Sequence, residues 1–224
     1  MDISGIKYLG IERVLKRGSG EVIVEQENAM LVRDSVSGAY MLACEDPATG
    51  IPLLDRHLSP DCSLLMASDY ALGTAAFERY GFSEKLECYQ VAYYGEKPAA
   101  DTGISVRTAD ESDLPVLLEN YHLVSPEELA EIVQRRRILL GFEKDQLVGF
   151  IGEHLEGSTG LLYIFPEYRH RGFGAELQRH MMGRTMDEGF VPFGQVEKDN
   201  LASLSLQKKL GMTQSGDLIV WMWR

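Results

Sequence analysis

The chain has 224 residues, and 34 acids against 22 bases give a formal net charge of -12. At roughly 100–200 residues per domain this allows one large domain or two small ones, and 45% hydrophobic with 25% charged residues is a globular composition that excludes wholesale disorder. The acidic balance argues against a non-specific nucleic-acid binder, which needs cationic surface to displace counterions from phosphates.

The first piece of the chain reads as strand-rich. Runs at Glu21–Glu25, Ala29–Val32 and Ala39–Cys44 are punctuated by Gly, Asn and Ser, as in a meander of hairpins. A helix is expected from Tyr70 to Tyr80, stopped by Gly81, because glycine tolerates the left-handed backbone of a helix end. A further strand pattern covers Leu86–Tyr94. The small, polar stretch Glu96-Lys97-Pro98-Ala99-Ala100-Asp101-Thr102-Gly103 then reads as a linker. It divides an N-terminal α/β region, 1–98, from a second region, 102–224, each large enough to bury a core.

The second region alternates. A strand at Ile104–Arg107 is followed by Ser125-Pro126-Glu127-Glu128, a helix start in which a serine N-cap, a first-turn proline and a glutamate agree. Strands are expected at Ile138–Phe142, Leu147–Ile151 and Gly160–Phe165, and a helix from about Ala175 to Glu188 closed by Gly189. A strand at Phe193–Glu197, a helix at Leu201–Leu210 ended by Gly211 and a strand through Leu218–Trp221 complete an α/β piece.

Three cysteines, Cys44, Cys62 and Cys88, are widely spaced and form no C-x-x-C pair. That argues against a disulfide framework or a metal site and for a reducing compartment. The start, Met1-Asp2-Ile3-Ser4-Gly5, has no basic or apolar targeting pattern, and no run approaches about 18 apolar residues. The expectation is a cytoplasmic protein with no membrane partner.

One segment carries chemistry: Tyr163-Ile164-Phe165-Pro166-Glu167-Tyr168-Arg169-His170-Arg171-Gly172-Phe173-Gly174-Ala175. A buried-type strand runs into a short loop with two glycines, and a helix opens directly afterwards. The free N–H groups of that first turn point into the loop at the positive end of the helix dipole. Glycines let a ligand approach the backbone without an intervening Cβ. Arg169 through Arg184 holds four arginines and one acid, Glu176, a local +3 in an acidic chain. This is a candidate pyrophosphate cradle. The superficially similar Arg17-Gly18-Ser19-Gly20 is followed by a strand and makes none. A P-loop fails for lack of Gly-Lys-Ser/Thr, and a dinucleotide fingerprint fails because Leu177 stands where its third glycine would be.

Asn200 follows the strand Phe193–Glu197 and opens a helix ending Lys208-Lys209-Leu210-Gly211-Met212. Together with Arg169, Gly172 and Gly174, which meet an Arg/Gln-x-x-Gly-x-Gly/Ala pattern, these residues resemble the GNAT superfamily of N-acetyltransferases. The likeness spans about 104–224 and is densest over 160–212. It is nearest to the branch that carries an extra N-terminal piece and ends this helix in Gln-Lys-Lys-Leu-Gly.

The resemblance implies a mixed central sheet flanked by helices, with a smaller N-terminal α/β piece beside it. It implies acetyl-CoA, or another acyl-CoA, as co-substrate, with no metal. Backbone groups of Leu162, Tyr163 and Ile164 would pair with the pantetheine arm. The stretch Arg169, His170, Arg171, Gly172, Phe173, Gly174 and Ala175 would hold the pyrophosphate, and Asn200 would sit beside the pantetheine, or serve as a plain N-cap.

Transfer to an amine needs a neutral nucleophile. For an amine of pKa about 10.4, deprotonation at pH 7 costs roughly 4.6 kcal/mol, and a carboxylate, reached directly or through water, is the usual remedy. Glu153 ranks first as general base, with Glu156, His154 and Glu197 as alternatives. Many family members place a tyrosine seven residues after the asparagine as acid toward the thiolate. Here that position is Gln207, which can donate a hydrogen bond but not a proton. Tyr163, Tyr168, Ser203 and Ser205 are candidate substitutes. Gln207 also motivates an alternative class, a non-catalytic CoA-binding sensor or scaffold, and a third, an interaction module with a vestigial cofactor loop.

The N-terminal Phe77-Glu78-Arg79-Tyr80-Gly81-Phe82 echoes Gln207–Met212, with Tyr70 falling where Asn200 sits. Residues 1–98 therefore read as a degenerate half-copy of the later fold or as an unrelated cap. Tyr89, Tyr93 and Tyr94 could line an acceptor cleft or a homodimer contact, or pack the sheet. The acceptor is expected to be a small-molecule or peptide amine, and the acidic surface would suit a cationic one.

Overall fold

The computed structural model describes residues 1–99 and 103–224. They form two units: Met1–Ala92 with Gln195–Lys208 and Thr213–Arg224, and Tyr93–Gly194 with Lys209–Met212. The compact units are thus discontinuous in sequence, unlike the linear division at 98/102 expected above. Part of that expected linker, residues 100–102, lies outside the described residues.

The first unit opens with helix α1 (Leu9–Lys16), followed by strands β1 (Gly20–Glu25), β2 (Ala29–Asp34) and β3 (Tyr40–Cys44), helix α2 (Pro47–His57), strand β4 (Leu64–Ala67), helix α3 (Tyr70–Tyr80) and strand β5 (Glu84–Ala92). The meander β1–β3 and the helix α3 stand where the sequence placed them, and Gly81 ends α3 at φ 64°. Three elements went unread. The helix α1 is two turns long with no side-chain cap, and β4 is a four-residue buried run. The helix α2 holds Gly50 and Pro52, which read as loop formers. Packing explains the glycine: a Cβ at Gly50 would lie 2.6 Å from Leu72 Cδ1, so a larger residue there would have to displace the Leu72 side chain.

A second strand from late in the chain, β11 (Thr213–Trp223), pairs antiparallel with both β4 and β5. The order in this sheet is β1-β2-β3-β4-β11-β5, and it is mixed because β3 and β4 run parallel. Alternation along the strands sends Leu31, Leu42, Leu65 and Val220 to the face under α2 and α3. Val32, Met41, Met66 and Ile219 go to the opposite face, under α1. Cys44, Cys62 and Cys88 are free thiols within these cores.

Arg17-Gly18-Ser19-Gly20 ends α1 and turns into β1, as expected of a loop without a cradle. It serves instead to hold Asp34, whose buried carboxylate accepts from Ser19 Oγ at 2.5 Å, Ser37 Oγ at 2.7 Å, Ser37 N at 2.9 Å and Arg17 Nη2 at 2.8 Å. Burial pushes this carboxyl up, but the bonds from Ser19, Ser37 and Arg17 outweigh it and hold the pKa below the usual value. A depressed native pKa contributes stability above the unfolded-state value, and that stability is lost as pH falls through the native one. Asp34→Asn is expected to lower stability by about 2–4 kcal/mol at pH 7 and to flatten the acid limb below about pH 4. Urea unfolding of both proteins across pH 2.5–7 checks this; parallel curves would refute it.

The second unit contains β6 (Ser105–Thr108), α4 (Leu114–Asn120), α5 (Pro126–Gln134), β7 (Ile138–Glu143), β8 (Gln146–Glu153), β9 (Thr159–Ile164) and α6 (Phe173–Asp187). Phe193 and Gly194 open β10 (Phe193–Glu197), which leads to α7 (Leu201–Lys209). The N-cap expected at Ser125 is present, its Oγ accepting from Glu128 N at 3.1 Å. The sheet order is β10-β9-β8-β7-β6, antiparallel except for β10 against β9. The helices α4 and α5 cover one face through Leu117, Leu129, Ile132, Leu140 and Phe150. The helix α6 covers the other through Leu177 and Met181 against Leu139, Val148 and Ile151. Both units are therefore mixed sheets with helices on both faces, an α/β fold as expected. No helix of the described residues is long and apolar enough to cross a membrane.

Candidate functional site

The strand β9 is the irregular element. Phe150 pairs with Tyr163 and Gly152 with Gly160, so Leu161 and Leu162 together oppose the single residue Ile151. This is a β-bulge, which leaves one residue's backbone groups out of the ladder. Leu161 takes the left-handed φ of 49°, costly for a bulky side chain and tolerated only where packing fixes it. It is fixed here by full burial in the core beneath α4 and α5. Sequence reasoning missed this feature, since leucine carries no signal for a left-handed backbone.

On its other edge β9 is nearly bare. Its parallel ladder with β10 consists of Gly194 opposite Thr159, so Gly160–Ile164 present backbone groups without ladder partners on that side. The residues expected to meet an extended arm, Leu162, Tyr163 and Ile164, are on this segment.

Beyond Ile164 the chain makes a 3-10 turn at Pro166–Tyr168 and reaches α6. His170 is left-handed at φ 61°, as is Gly172 at φ 90°, so two reversals fold the loop over the helix end. Gly172 is the N-cap and no side chain caps α6. Ala175 N and Glu176 N bond to Gly172 O at 3.0 and 3.2 Å, which leaves the N–H groups of Phe173 and Gly174 at the bare end. A Cβ at Gly172 would meet nothing within 4 Å, so the space above it is open. The helix starts two residues earlier than expected, which places Gly174 in its first turn.

The charge around this end is smaller than the sequence count. Arg171 pairs with Glu143 at 2.6 Å, Arg179 with Glu176 and Arg184 with Glu188 at 3.3 Å. Arg169 donates to Ile164 O at 3.0 Å and lies over the Tyr163 ring; it has no acid partner among the described residues. An exposed pair such as Arg171–Glu143 is worth at most about 1 kcal/mol, so Arg171 remains able to turn toward an anion.

Unit 1 offers an internal contrast. Its order α1-β1-β2-β3-α2-β4-α3-β5 is the same as that of α5-β7-β8-β9-α6-β10-α7-β11 later in the chain. Yet β3 and β4 are joined through Tyr40–Leu65, Met41–Met66 and Leu42–Ala67, so no edge opens. The start of α2 is capped by Asp46, which accepts from Ala48 N at 3.0 Å. An acid holds the position an anionic ligand would need.

The favoured base takes a different part. Glu153 is 1% exposed. Its Oε2 accepts from Arg137 Nε at 2.9 Å and its Oε1 from Thr185 Oγ1 at 2.8 Å. Arg137 also binds Glu188 through two 2.8 Å bonds. Burial would lower the Arg137 pKa, but Glu188 and Glu153 raise it well above its ordinary value. Glu153 is thus a structural ion-pair partner near the end of α6, and this geometry argues against the base role. Glu156 is also buried and accepts from Ser158 Oγ.

His154 remains partly accessible, 28% exposed, with Nδ1 3.8 Å from Glu128 Oε1. Tyr163 stacks on Phe150 at 5.4 Å between ring centroids, a packing role. In unit 1, Asn200 opens α7 with its Oδ1 accepting from Ser203 N at 3.0 Å, the N-cap alternative. Glu197 is exposed at the end of β10. Gln207 is 7% exposed and its Oε1 has no partner among the described residues. Among those residues no group of three or more His, Cys, Asp or Glu could hold a metal ion.

The fold is shared with solved structures at low identity. A Drosophila protein covers 99% of this chain and 91% of its own, with TM-score 0.67 and 14% identity. A GCN5-related N-acetyltransferase-like protein from Streptococcus suis covers 96% and 92%, with TM-score 0.58 and 15% identity. A tandem GNAT protein from the clavulanic acid biosynthesis pathway covers 96% and 87%, with TM-score 0.50 and 13% identity. No curated protein matches the chain in sequence. The family model described as Acetyltransferase (GNAT) family matches residues 103–212. The bulged, half-open β9 and the bare α6 end lie inside that span, and it is this part of the chain that is similar to the GNAT acetyltransferases.

Proposed function

We propose that the protein is an N-acyltransferase that moves an acyl group, most simply acetyl, from acyl-coenzyme A to an amine of a small molecule or peptide. Transfer is direct, within a ternary complex. The observation that carries this reading is the bulge at Leu161–Leu162 on a strand whose open edge leads to an uncapped helix N-terminus.

The residues present fit such a co-substrate. Open space above Gly172, the N–H groups of Phe173 and Gly174 and the helix dipole suit a pyrophosphate, with Arg169 and Arg171 close in sequence. The backbone of Leu162–Ile164, laddered to β8 but not to β10, suits on that side a flexible amide-bearing arm, which would bond as an added strand does. The thioester supplies an activated carbonyl carbon. Bulge N–H groups, released from the ladder, would donate to the oxygen on which charge develops, a contribution of the oxyanion-hole kind.

Calorimetry with acetyl-CoA, followed by a thiol-release screen over amines, amino acids and peptides, tests the reading. The expected result is saturable binding and release of free thiol with at least one acceptor. Absence of binding at millimolar cofactor would sink it. Gln207 favours a second reading, a CoA-binding sensor, because a buried amide cannot protonate the departing sulfur. Binding without thiol release from any acceptor would select that alternative.

A further inference from the structure

Three elements of the second unit bring four polar groups together beside the bulge. Tyr121 ends α4, Glu128 lies in the first turn of α5, and His154 and Glu156 occupy the turn between β8 and β9. That turn is closed by His154 N to Ser158 O and Gly157 N to His154 O, both 2.9 Å. The imidazole lies across Gly160, the residue before the bulge: a Cβ there would sit 2.4 Å from His154 Nε2 and 2.8 Å from Cδ2. Within the bulge, the Leu161 backbone lies close enough to the Tyr121 hydroxyl to act on its ionisation.

We propose that His154 is the general base of the acyl transfer, with Glu128 as its positioning residue. The proposal rests on the acyltransferase reading above. Nδ1 faces the Glu128 carboxylate at 3.8 Å, which favours the tautomer with the proton on Nδ1 and leaves Nε2 as the acceptor. That acceptor is the atom lying over Gly160, next to the point where the bulge meets the thioester carbonyl. In the step, the amine nitrogen bonds to the carbonyl carbon, the C–S bond breaks with its electron pair leaving on sulfur, and the amine proton passes to His154 Nε2. The thiolate then takes a proton from water.

The charged environment agrees. Burial alone would lower the His154 pKa, but Glu128 on α5 and Glu156 in its own turn outweigh it and raise the pKa above the ordinary value. Tyr121, which shares Glu128 as a charged neighbour, is pushed up to about 12, chiefly by burial, and is neutral in the working range. The neutral, competent form of His154 therefore appears only as pH rises past the usual histidine value, and activity should rise with it.

The test uses the full chain, acetyl-CoA, and a panel of the twenty amino acids and simple alkylamines. Turnover is followed by thiol release from pH 6 to 9.5, with acetyl-CoA affinity measured in parallel. The wild type is expected to show an acid limb in kcat centred above about pH 6.5. His154→Gln should lose that limb and about a hundredfold or more in kcat, with acetyl-CoA affinity unchanged. Glu128→Gln should move the limb to lower pH. Gly160→Ala displaces the ring by its new Cβ and should reproduce the His154→Gln profile, which covers the case that the latter fails to fold. An active wild type whose rate and limb survive both His154→Gln and Gly160→Ala would overturn the base assignment alone. A wild type that binds acetyl-CoA and releases no thiol with any acceptor would overturn it together with the acyltransferase reading.

Discussion

Replacing Gly174 with glutamate is expected to weaken acetyl-CoA binding by at least about a hundredfold, close to 2.7 kcal/mol, while leaving the melting temperature within about 2 °C of wild type. Gly174 is in the first turn of α6, whose N-cap is the left-handed Gly172 and whose end no side chain caps. A carboxylate at such an end interacts favourably with the helix dipole, so the fold should accept the change. The same carboxylate would stand where a phosphate must sit, repelling its charge and competing for the N–H groups of Phe173 and Gly174. Calorimetry against acetyl-CoA beside thermal unfolding separates the two effects. Unchanged affinity would remove the pyrophosphate from this end of the helix.

Glu153→Ala is expected to cost about 3–5 kcal/mol of stability, the largest effect of any single change considered. The substitution strips a part-buried guanidinium, Arg137, of one of its two carboxylates and leaves Thr185 Oγ1 only its bond to Met181 O. For a chain of this size roughly 2–4 °C is lost per kcal/mol, so the melting temperature should drop by about 6–20 °C. Glu153→Gln, which keeps the shape and an acceptor for Thr185, should fall between. Urea unfolding of the three proteins measures this, and the folded variants should retain acetyl-CoA affinity. A stable Glu153→Ala with normal melting but depressed turnover would restore this residue to the chemistry.

The contrast between these two residues shows what the sequence could disclose. The cradle was legible because it depends on local chemistry: glycines between a strand and a helix, both of whose positions follow from apolar patterning. Ser125 and Gly81 were legible for the same reason, as caps act within one turn. Glu153 was misjudged because its partners, Arg137 and Thr185, are 16 and 32 positions away in the chain and meet it only once β8 and α6 have packed. The +3 patch shrank for the same cause, Arg171 finding Glu143 across 28 positions. Leu161 could not be anticipated at all, because its backbone is imposed by the core around it. His154, set aside in favour of the glutamate beside it, is distinguished by Gly160 and Glu128, neighbours that only the hairpin and α5 bring to it.

The place of β11 has a consequence for how the molecule is made. This strand, from the last residues of the chain, lies between β4 and β5, pairing with Leu64–Ala67 on one side and Glu84–Ala92 on the other. Until residues 213–223 have been synthesised, β4 and β5 each expose an unpaired edge, and such edges invite pairing with other chains. The N-terminal half therefore cannot complete its fold as it leaves the ribosome, as a self-contained N-terminal domain would. Its pairing spans well over a hundred positions, and long-range pairing of this kind slows folding. A chain broken before its final strand leaves its first hundred residues unfinished.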